Sequence, residues 1–116
     1  WLAAACGRWP GSWMGRSYPW GDEPPRCDGV VFGRHKGACQ NLPSGPVAVG
    51  TAAQDRTPQG LWDLGGNVTE WVAGSQVLGG DYARTVTQCR GELLQIQLPT
   101  EALRSNLGFR CARSAL

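Results

Sequence analysis

Hydrophobic and polar positions alternate along residues 68–72 and 107–113, and this pattern predicts strands whose successive side chains face opposite sides of a sheet. Residues 77–82 are also predicted to form a strand. Residues 29–33 form a brief apolar run that we also interpret as a very short strand. Residues 46–50 are a further short apolar segment, to which periodicity assigns no element.

Helix is predicted only near the start of the chain. Residues 1–7 contain a run of three Ala and end at Gly7, which favours the last turn or two of a helix with a glycine stop. Residues 100–104 are the best later candidate, but they are too few to form a stable helix alone. The Gly- and Pro-rich residues 8–26 and 34–46 are predicted to be ordered loops. The buried anchors expected in the first loop are Trp9, Trp13, Tyr18 and Trp20.

Composition sharpens this picture. The 116 residues include 17 Gly, 8 Pro and 6 Trp, and 41% of them are hydrophobic. So much Gly and Pro argues against a helical bundle, whereas six indoles that need burial argue against disorder. We therefore predict one α+β domain over residues 1–116, loop-rich, with little regular structure and short antiparallel strands.

Charge excludes some partners. Eleven basic and nine acidic residues give a net charge of +2 and form no basic run, so neither a nucleic acid nor an anionic membrane is indicated as a partner. No apolar stretch is long enough for a transmembrane helix. The chain begins at Trp1 without an initiator Met or a signal peptide, which suggests processing or a piece of a longer protein.

Five cysteines suggest an oxidising compartment. An odd number leaves at least one thiol free or paired with another molecule. Because there is no C-x-x-C motif and His35 is the single histidine, a zinc site is disfavoured. Disulfides in an exported protein (periplasmic, extracellular or cell-surface) are favoured; the alternative is that all five thiols are reduced. Cys27 and Cys39 would close a short loop, worth on the order of 3 kcal/mol.

Three phrases, in order, resemble one family. They are residues 18–25 (YPWGDEPP), 60–71 (GLWDLGGNVTEW) and 106–113 (NLGFRCAR), with the Gly-Gly pair at 79–80 between the last two. Together they resemble the C-terminal part of the formylglycine-generating-enzyme, or sulfatase-modifying-factor, domain. Residues 1–7 resemble that family's E-W-E-Y-A-A-R-G helix end. The resemblance implies a variant of the C-type-lectin-like fold, and an N-terminal half that lies outside this chain.

The second phrase has the chemistry of a calcium site. Calcium takes six to eight oxygens from carboxylates and from carbonyls of a tightly curved backbone. The resemblance implies that the ligands are the carboxylates of Asp63 and Glu70 and the carbonyls of Gly66 and Val68. The alternative is a glycine turn in which both carboxylates accept ordinary hydrogen bonds. A second family calcium site would align near Val31, which offers no side-chain oxygen, so we expect that site to be lost or altered.

The resemblance also locates the expected catalytic centre. The family's enzymes oxidise a substrate cysteine to formylglycine with oxygen, through two cysteines that bind one copper ion as thiolates. The matching positions here are Arg84 and Cys89, and Asp81 replaces a usual Ser. Since a guanidinium cannot replace a thiolate ligand, copper is not expected. Cys89 is then either a single catalytic thiol or a small buried cysteine.

Two further pairings concern the C-terminal phrase. The resemblance implies a disulfide between Cys6 and Cys111, although Cys6 stands one residue from the aligned position. Arg110 and Arg113 are expected to pair with carboxylates near the C-terminus.

The function expected from these residues is that of a non-catalytic binding or structural module. It would be a calcium-stabilised subunit of a larger exported assembly, in which a protein partner covers the missing N-terminal half; a glycan is another candidate ligand. The alternatives are a copper- and oxygen-dependent formylglycine-generating oxidase and an accessory maturation factor.

Overall fold

The computed structural model describes residues 1–7, 15–90, 96–99 and 102–114. Within these ranges, most of the chain is turn and loop. The regular elements are the helix α1 (Leu2–Cys6) and the strands β1 (Thr69–Val72), β2 (Gln76–Leu78), β3 (Ile96–Gln97) and β4 (Leu107–Gly108). None of the helices described in these ranges is long and apolar enough to cross a membrane. The α+β, loop-rich class predicted from composition is confirmed.

Helix α1 ends where the sequence predicts. Gly7 adopts a left-handed conformation with φ of 64°, and its N–H donates to the carbonyl of Ala3 at 3.0 Å. A side chain at this φ would be strained, which explains why the stop is a glycine. The buried face of the helix consists of Ala5 and Cys6.

The four strands form one mixed sheet in the order β3-β2-β1-β4. β1 pairs antiparallel with β2, with Trp71 opposite Val77, and β2 pairs antiparallel with β3. β4 instead runs parallel to β1, with Leu107 opposite Thr69, so the expectation of antiparallel pairing alone is wrong at this edge. Parallel pairing arises because a long connection separates β1 from β4, whereas a tight hairpin joins β1 to β2.

The predicted strands are shorter in the structure, and one is absent. Residues 77–82 keep strand conformation only as far as Leu78, and residues 107–113 only as far as Gly108. The strand predicted at residues 29–33 is wrong: the amide of Val30 donates to the carbonyl of Arg26 at 2.9 Å, in a turn. A short apolar run signals burial, but not which backbone conformation achieves it. Residues 102–104 of the second helical candidate are not helical, and the rest of it lies outside the described residues.

Two apolar clusters lie around these loops. One joins the end of α1 to the turn before β1 through Ala5, Cys6, Leu64 and Cys89. The other contains Val30, Phe32, Cys39 and Val86, with Tyr18 and Trp20 packed against it. The rings of Tyr18 and Trp20 stack with centroids 5.0 Å apart, so these two predicted anchors do pack on the core. Trp9 and Trp13 lie outside the described residues.

The structure contains two disulfides, and one of them joins a different pair of cysteines from the one expected. Cys6 is bonded to Cys89, not to Cys111, so the predicted Cys6–Cys111 bridge is wrong. The physical reason is burial: Cys6 and Cys89 lie in one apolar cluster, whereas Cys111 lies on an exposed segment beyond β4 and keeps a free thiol. The second disulfide joins Cys27 and Cys39, the other pair named from the sequence.

Candidate functional site

A tight turn over residues 63–68 leads into β1, and Asp63 begins it with a positive φ of 60°. One carboxylate oxygen of Asp63, Oδ2, accepts from the amide of Gly50 at 2.8 Å. The other, Oδ1, is buried and has no hydrogen-bond partner. Burial raises the pKa of this carboxyl above its usual value. A buried carboxylate oxygen without a partner is costly unless a cation or a water compensates it.

Asp55 holds the turn through hydrogen bonds to its backbone amides. Asp55 was not identified as a site residue from the sequence. Its carboxylate accepts hydrogen bonds from the amides of Gly65 and Gly66, each at 2.8 Å. Glycine is needed at position 65, because a Cβ there would lie 2.8 Å from Asp55 Oδ1. Asp55 is 1% exposed, and desolvation raises its pKa to about 6. It lies in a polar stretch without periodicity, so no local signal marks it as buried.

Glu70, the second residue of β1, accepts hydrogen bonds from Trp1 and from Arg110. Arg110 donates from Nη2 to Oε1 at 2.6 Å and from Nε to Oε2 at 2.7 Å, and the indole of Trp1 donates to Oε2 at 2.8 Å. This interaction raises the pKa of Arg110. Arg110 was expected to pair with a carboxylate near the C-terminus; its partner is 40 positions earlier in the chain.

The two carbonyls named as calcium ligands flank Asn67, which is fixed in a left-handed conformation with φ of 74°. Its side chain accepts from the amide of Val47 at 2.9 Å and donates to the carbonyl of the same residue at 3.2 Å. Within the described residues, no N–H donates to the carbonyls of Gly66 or Val68. Val31, near the second family site, uses its carbonyl to accept from Asn67.

The charges around this turn do not balance. Asp55, Asp63 and Glu70 are all buried, and their charges are coupled to one guanidinium, that of Arg110. Three carboxylates against one cation leave an excess of negative charge in a desolvated region. Burial of such charge is unfavourable unless the groups are protonated or another cation is present.

The candidate donors at this turn are all oxygens, the atoms that a hard cation prefers. In the part of the chain that the structure describes, no group of three or more His, Cys, Asp or Glu side chains could hold a metal ion. A cation at this turn therefore depends on carbonyl oxygens as well as on Asp63 Oδ1. Glu70 Oε2 accepts two hydrogen bonds, but Oε1 accepts one and retains a lone pair. Such an all-oxygen set is of the kind that calcium takes.

The expected catalytic positions lie in a different loop, after β2. Asp81 is buried and organises the loop: its Oδ1 accepts from the amides of Ala83 at 2.9 Å and Arg84 at 3.0 Å, and its Oδ2 accepts from Asn106 Nδ2 at 3.1 Å. The side chain of Arg84 is 55% exposed, with Nε 3.8 Å from Asp81 Oδ2. This loop thus presents a guanidinium where the resemblance implies the first thiolate.

Cys89, the second expected catalytic position, is 1% exposed and is bonded to Cys6. Its sulfur is therefore neither a free nucleophile nor a thiolate ligand in this structure. The sequence interpretation of Cys89 as a catalytic thiol is wrong for the disulfide-bonded protein. The physical reason is proximity, because the fold brings the Cα atoms of Cys6 and Cys89 to 5.4 Å from each other within one buried apolar cluster.

Comparison with known proteins gives one match. The family described as "Sulfatase-modifying factor enzyme 1-like domain" matches residues 1–115. The chain belongs to the sulfatase-modifying factor family. No curated protein and no solved structure matches it.

Family membership confirms the resemblance drawn from the sequence phrases. In this sulfatase-modifying factor domain, the glycine-rich turn carries the carboxylates of Asp63 and Glu70. The positions where the resemblance implies two thiolates hold Arg84, which is visible in the sequence, and Cys89, whose bond to Cys6 appears only in the fold.

Proposed function

We propose that this domain is a non-catalytic binding or structural module with a C-type-lectin-like variant fold. One observation carries the proposal: the copper pair of the family's enzymes has Arg84 at its first position and a buried, disulfide-bonded Cys89 at its second. Copper(I) chemistry needs two soft thiolates close together. Neither position supplies one, and function is argued from the site rather than from the scaffold.

Calcium is part of this proposal as a structural ion. Asp63 Oδ1, the carbonyls of Gly66 and Val68, and the remaining lone pair of Glu70 Oε1 would hold it. The support is one buried oxygen and two carbonyls that accept no hydrogen bond from the described residues, together with a local excess of buried carboxylates. Bound there, calcium would supply positive charge and would tie the start of the turn to β1. It has no role in a reaction.

The third part of the proposal is that the domain binds a protein partner in an exported assembly. The support for a partner is that several apolar side chains are exposed, namely Val49 at 83%, Leu103 at 95% and Phe109 at 74%. The support for export is the pair of disulfides, since such bonds persist in oxidising compartments.

The test of the non-catalytic proposal is an aldehyde assay. The purified chain would be loaded with copper(I) under oxygen and offered a peptide that carries a sulfatase-type cysteine motif. We expect no aldehyde, measured by hydrazide labelling and mass spectrometry of the peptide.

A Cys6→Ser variant is the matched control, because it frees Cys89 and leaves Arg84 in place. It tests whether one released thiol is enough for activity, and we expect it to be inactive as well. Copper-dependent aldehyde from either protein would overturn the proposal.

A further inference from the structure

The carbonyl of Gly66, one of the two that we assign to the calcium ion, belongs to a peptide group that the fold holds in place. A trans peptide is planar, so its carbonyl points away from its own N–H. The N–H of this group is that of Asn67, and it donates to the carbonyl of Val31 at 2.9 Å. A Cβ at position 66 would clash with the same oxygen of Val31. The carbonyl of Gly66 therefore points away from Val31, with its peptide group fixed by that bond.

The carbonyl of Val68, the other one assigned to the ion, is oriented in the same way. The N–H of its peptide group is that of Thr69, which donates to the carbonyl of Asn106 at 2.8 Å. The carbonyl between these two, that of Asn67, accepts from the amide of Tyr82 at 2.8 Å. Of three successive carbonyls, the middle one is thus used within the fold. The outer two accept no hydrogen bond from the described residues.

Asn67 lies between the two ligand residues, so its backbone dihedral angles help to set how their carbonyls are placed relative to each other. Its φ of 74° is left-handed, a conformation that asparagine tolerates better than most residues with a side chain. The residue is 4% exposed. Its Oδ1 accepts from the amide of Val47 at 2.9 Å, and its Nδ2 donates to the carbonyl of Val47 at 3.2 Å. Only a carboxamide can make this pair of bonds, because it carries both an acceptor and a donor.

We propose that Asn67 is a positioning residue for the calcium ion. Held by Val47, it keeps the backbone between Gly66 and Val68 in one conformation, so that both carbonyls are in place before the ion binds. Such preorganisation raises affinity, because the entropy of ordering the turn is lost on folding and not on binding. Asn67 shapes the site without being a ligand, since both polar atoms of its carboxamide are bonded to Val47. This inference rests on the calcium part of the proposed function.

Fixed carbonyls also determine which ion the turn takes. Magnesium requires octahedral geometry at about 2.0–2.1 Å and gives up its waters reluctantly, whereas calcium accepts irregular oxygen sets at about 2.3–2.6 Å. The two carbonyls cannot move inward for the smaller ion without breaking the bonds to Val31 and Asn106 that orient their peptide groups. We therefore expect the turn to select calcium over magnesium, and Asn67 to contribute to this selectivity.

The test is isothermal titration calorimetry of the purified, disulfide-bonded chain with calcium chloride and, separately, with magnesium chloride. Asn67→Ala removes the bonds to Val47 and places a residue that is strained at this φ. We expect its Kd for calcium to rise about 10-fold to 100-fold, the range typical when a group that orients metal ligands is removed. The preference for calcium over magnesium should fall at the same time.

Two further variants make this result specific. Asn67→Gly also loses the bonds to Val47 but adopts a left-handed φ without strain, so it should weaken calcium binding by less than Asn67→Ala does. It is also the variant to use if Asn67→Ala does not fold, which circular dichroism checks. Asn41→Ala makes the same chemical change at an exposed asparagine, and it should leave both the Kd and the ion preference unchanged.

A purely structural role would give a different result. Folded Asn67 variants would then have a lower Tm without calcium, but the same Kd for calcium and the same ion preference as the wild type. That outcome would overturn the role of Asn67 and leave the calcium site standing. A wild-type chain that binds magnesium as tightly as calcium would overturn the selectivity.

The same titration separates this inference from the proposed function. If the wild-type chain binds no calcium, the calcium site itself is wrong, and the role of Asn67 is wrong with it. The non-catalytic function would still stand, because the aldehyde assay decides it independently of calcium.

Discussion

Arg110 and Glu70 form a two-point ion pair that closes the glycine-rich turn, with N–O distances of 2.6 and 2.7 Å. The side chain of Glu70 is 6% exposed, whereas that of Arg110 is 34% exposed. The pair joins the segment after β4 to the beginning of β1. Because Trp1 donates to the same carboxylate, one buried side chain connects the first residue, the central turn and the C-terminal segment.

Breaking this pair should destabilise the fold. Arg110→Gln leaves Glu70 buried without its cation, and we expect a loss of about 2 kcal/mol in the free energy of unfolding. Removing one partner of a fully buried pair costs roughly 3–5 kcal/mol, and solvent screening of the partly exposed Arg110 lowers this. Urea denaturation measures the loss. The control is Arg113→Gln on the exposed segment, which should change stability by less than about 0.5 kcal/mol. Equal effects of the two variants would contradict the role of the pair.

Calcium should stabilise the domain through Asp63. A ligand that binds only the folded state at about 100 times its dissociation constant adds about 2.7 kcal/mol of stability. We expect added calcium to raise the Tm of the wild-type protein, and a chelator to lower it again. Asp63→Asn removes the charge of the orphaned carboxylate and should abolish most of this response. Asp28→Asn, an exposed change of the same charge, should keep it. A wild-type Tm that changes neither with calcium nor with the chelator would contradict the proposed calcium site.

Asp55 should make stability depend on pH. Desolvation raises its pKa to about 6 in the folded protein, from 3.8. The folded state therefore binds this proton more tightly than the unfolded state does. The resulting stabilisation is fully present below pH 3.8 and is lost as the pH rises through 6, a total of about 3 kcal/mol. The raised pKa of Asp63 acts in the same direction.

Asp55→Asn isolates this effect, because the amide keeps an oxygen acceptor for the glycine amides but does not ionise. The difference in unfolding free energy between wild type and variant should shift in favour of the variant between pH 4 and pH 7 by about 2.4 kcal/mol, because part of the full effect is already lost at pH 4. Urea denaturation in the presence of a chelator measures it. A difference that stays constant over this range would show that Asp55 ionises normally.

The two disulfides should contribute unequally. Cys6–Cys89 spans 83 positions and Cys27–Cys39 spans 12. Loop entropy then predicts losses of about 4.5 and about 3 kcal/mol when each pair is replaced by Ser. Cys111→Ser should be nearly neutral, because this thiol is exposed and free. Peptide mapping under non-reducing conditions should recover a fragment that links Cys6 to Cys89. A fragment that links Cys6 to Cys111 would refute the pairing.

Much of the candidate site could be predicted from the sequence because it lies in one continuous phrase. Asp63, Gly66, Val68 and Glu70 all belong to residues 60–71, the phrase whose family resemblance names them as a set. The structure puts the left-handed conformation of this turn at Asp63 and Asn67 rather than at Gly65 and Gly66. The helix end at Gly7 could also be predicted, because its signal is local. The class of fold followed from composition, since Gly and Pro exclude long helices while Trp requires burial.

The contacts that only the tertiary structure revealed join residues that lie far apart along the chain. The contacts of Asp55 with the turn, of Arg110 with Glu70 and of Cys89 with Cys6 all depend on loop closures that no local pattern encodes. Sequence phrases therefore identified the family and the turn. Tertiary packing determined which cysteines are bonded to each other and which carboxylates are buried. Burial and electrostatic pairing depend on neighbours in space rather than on neighbours along the chain.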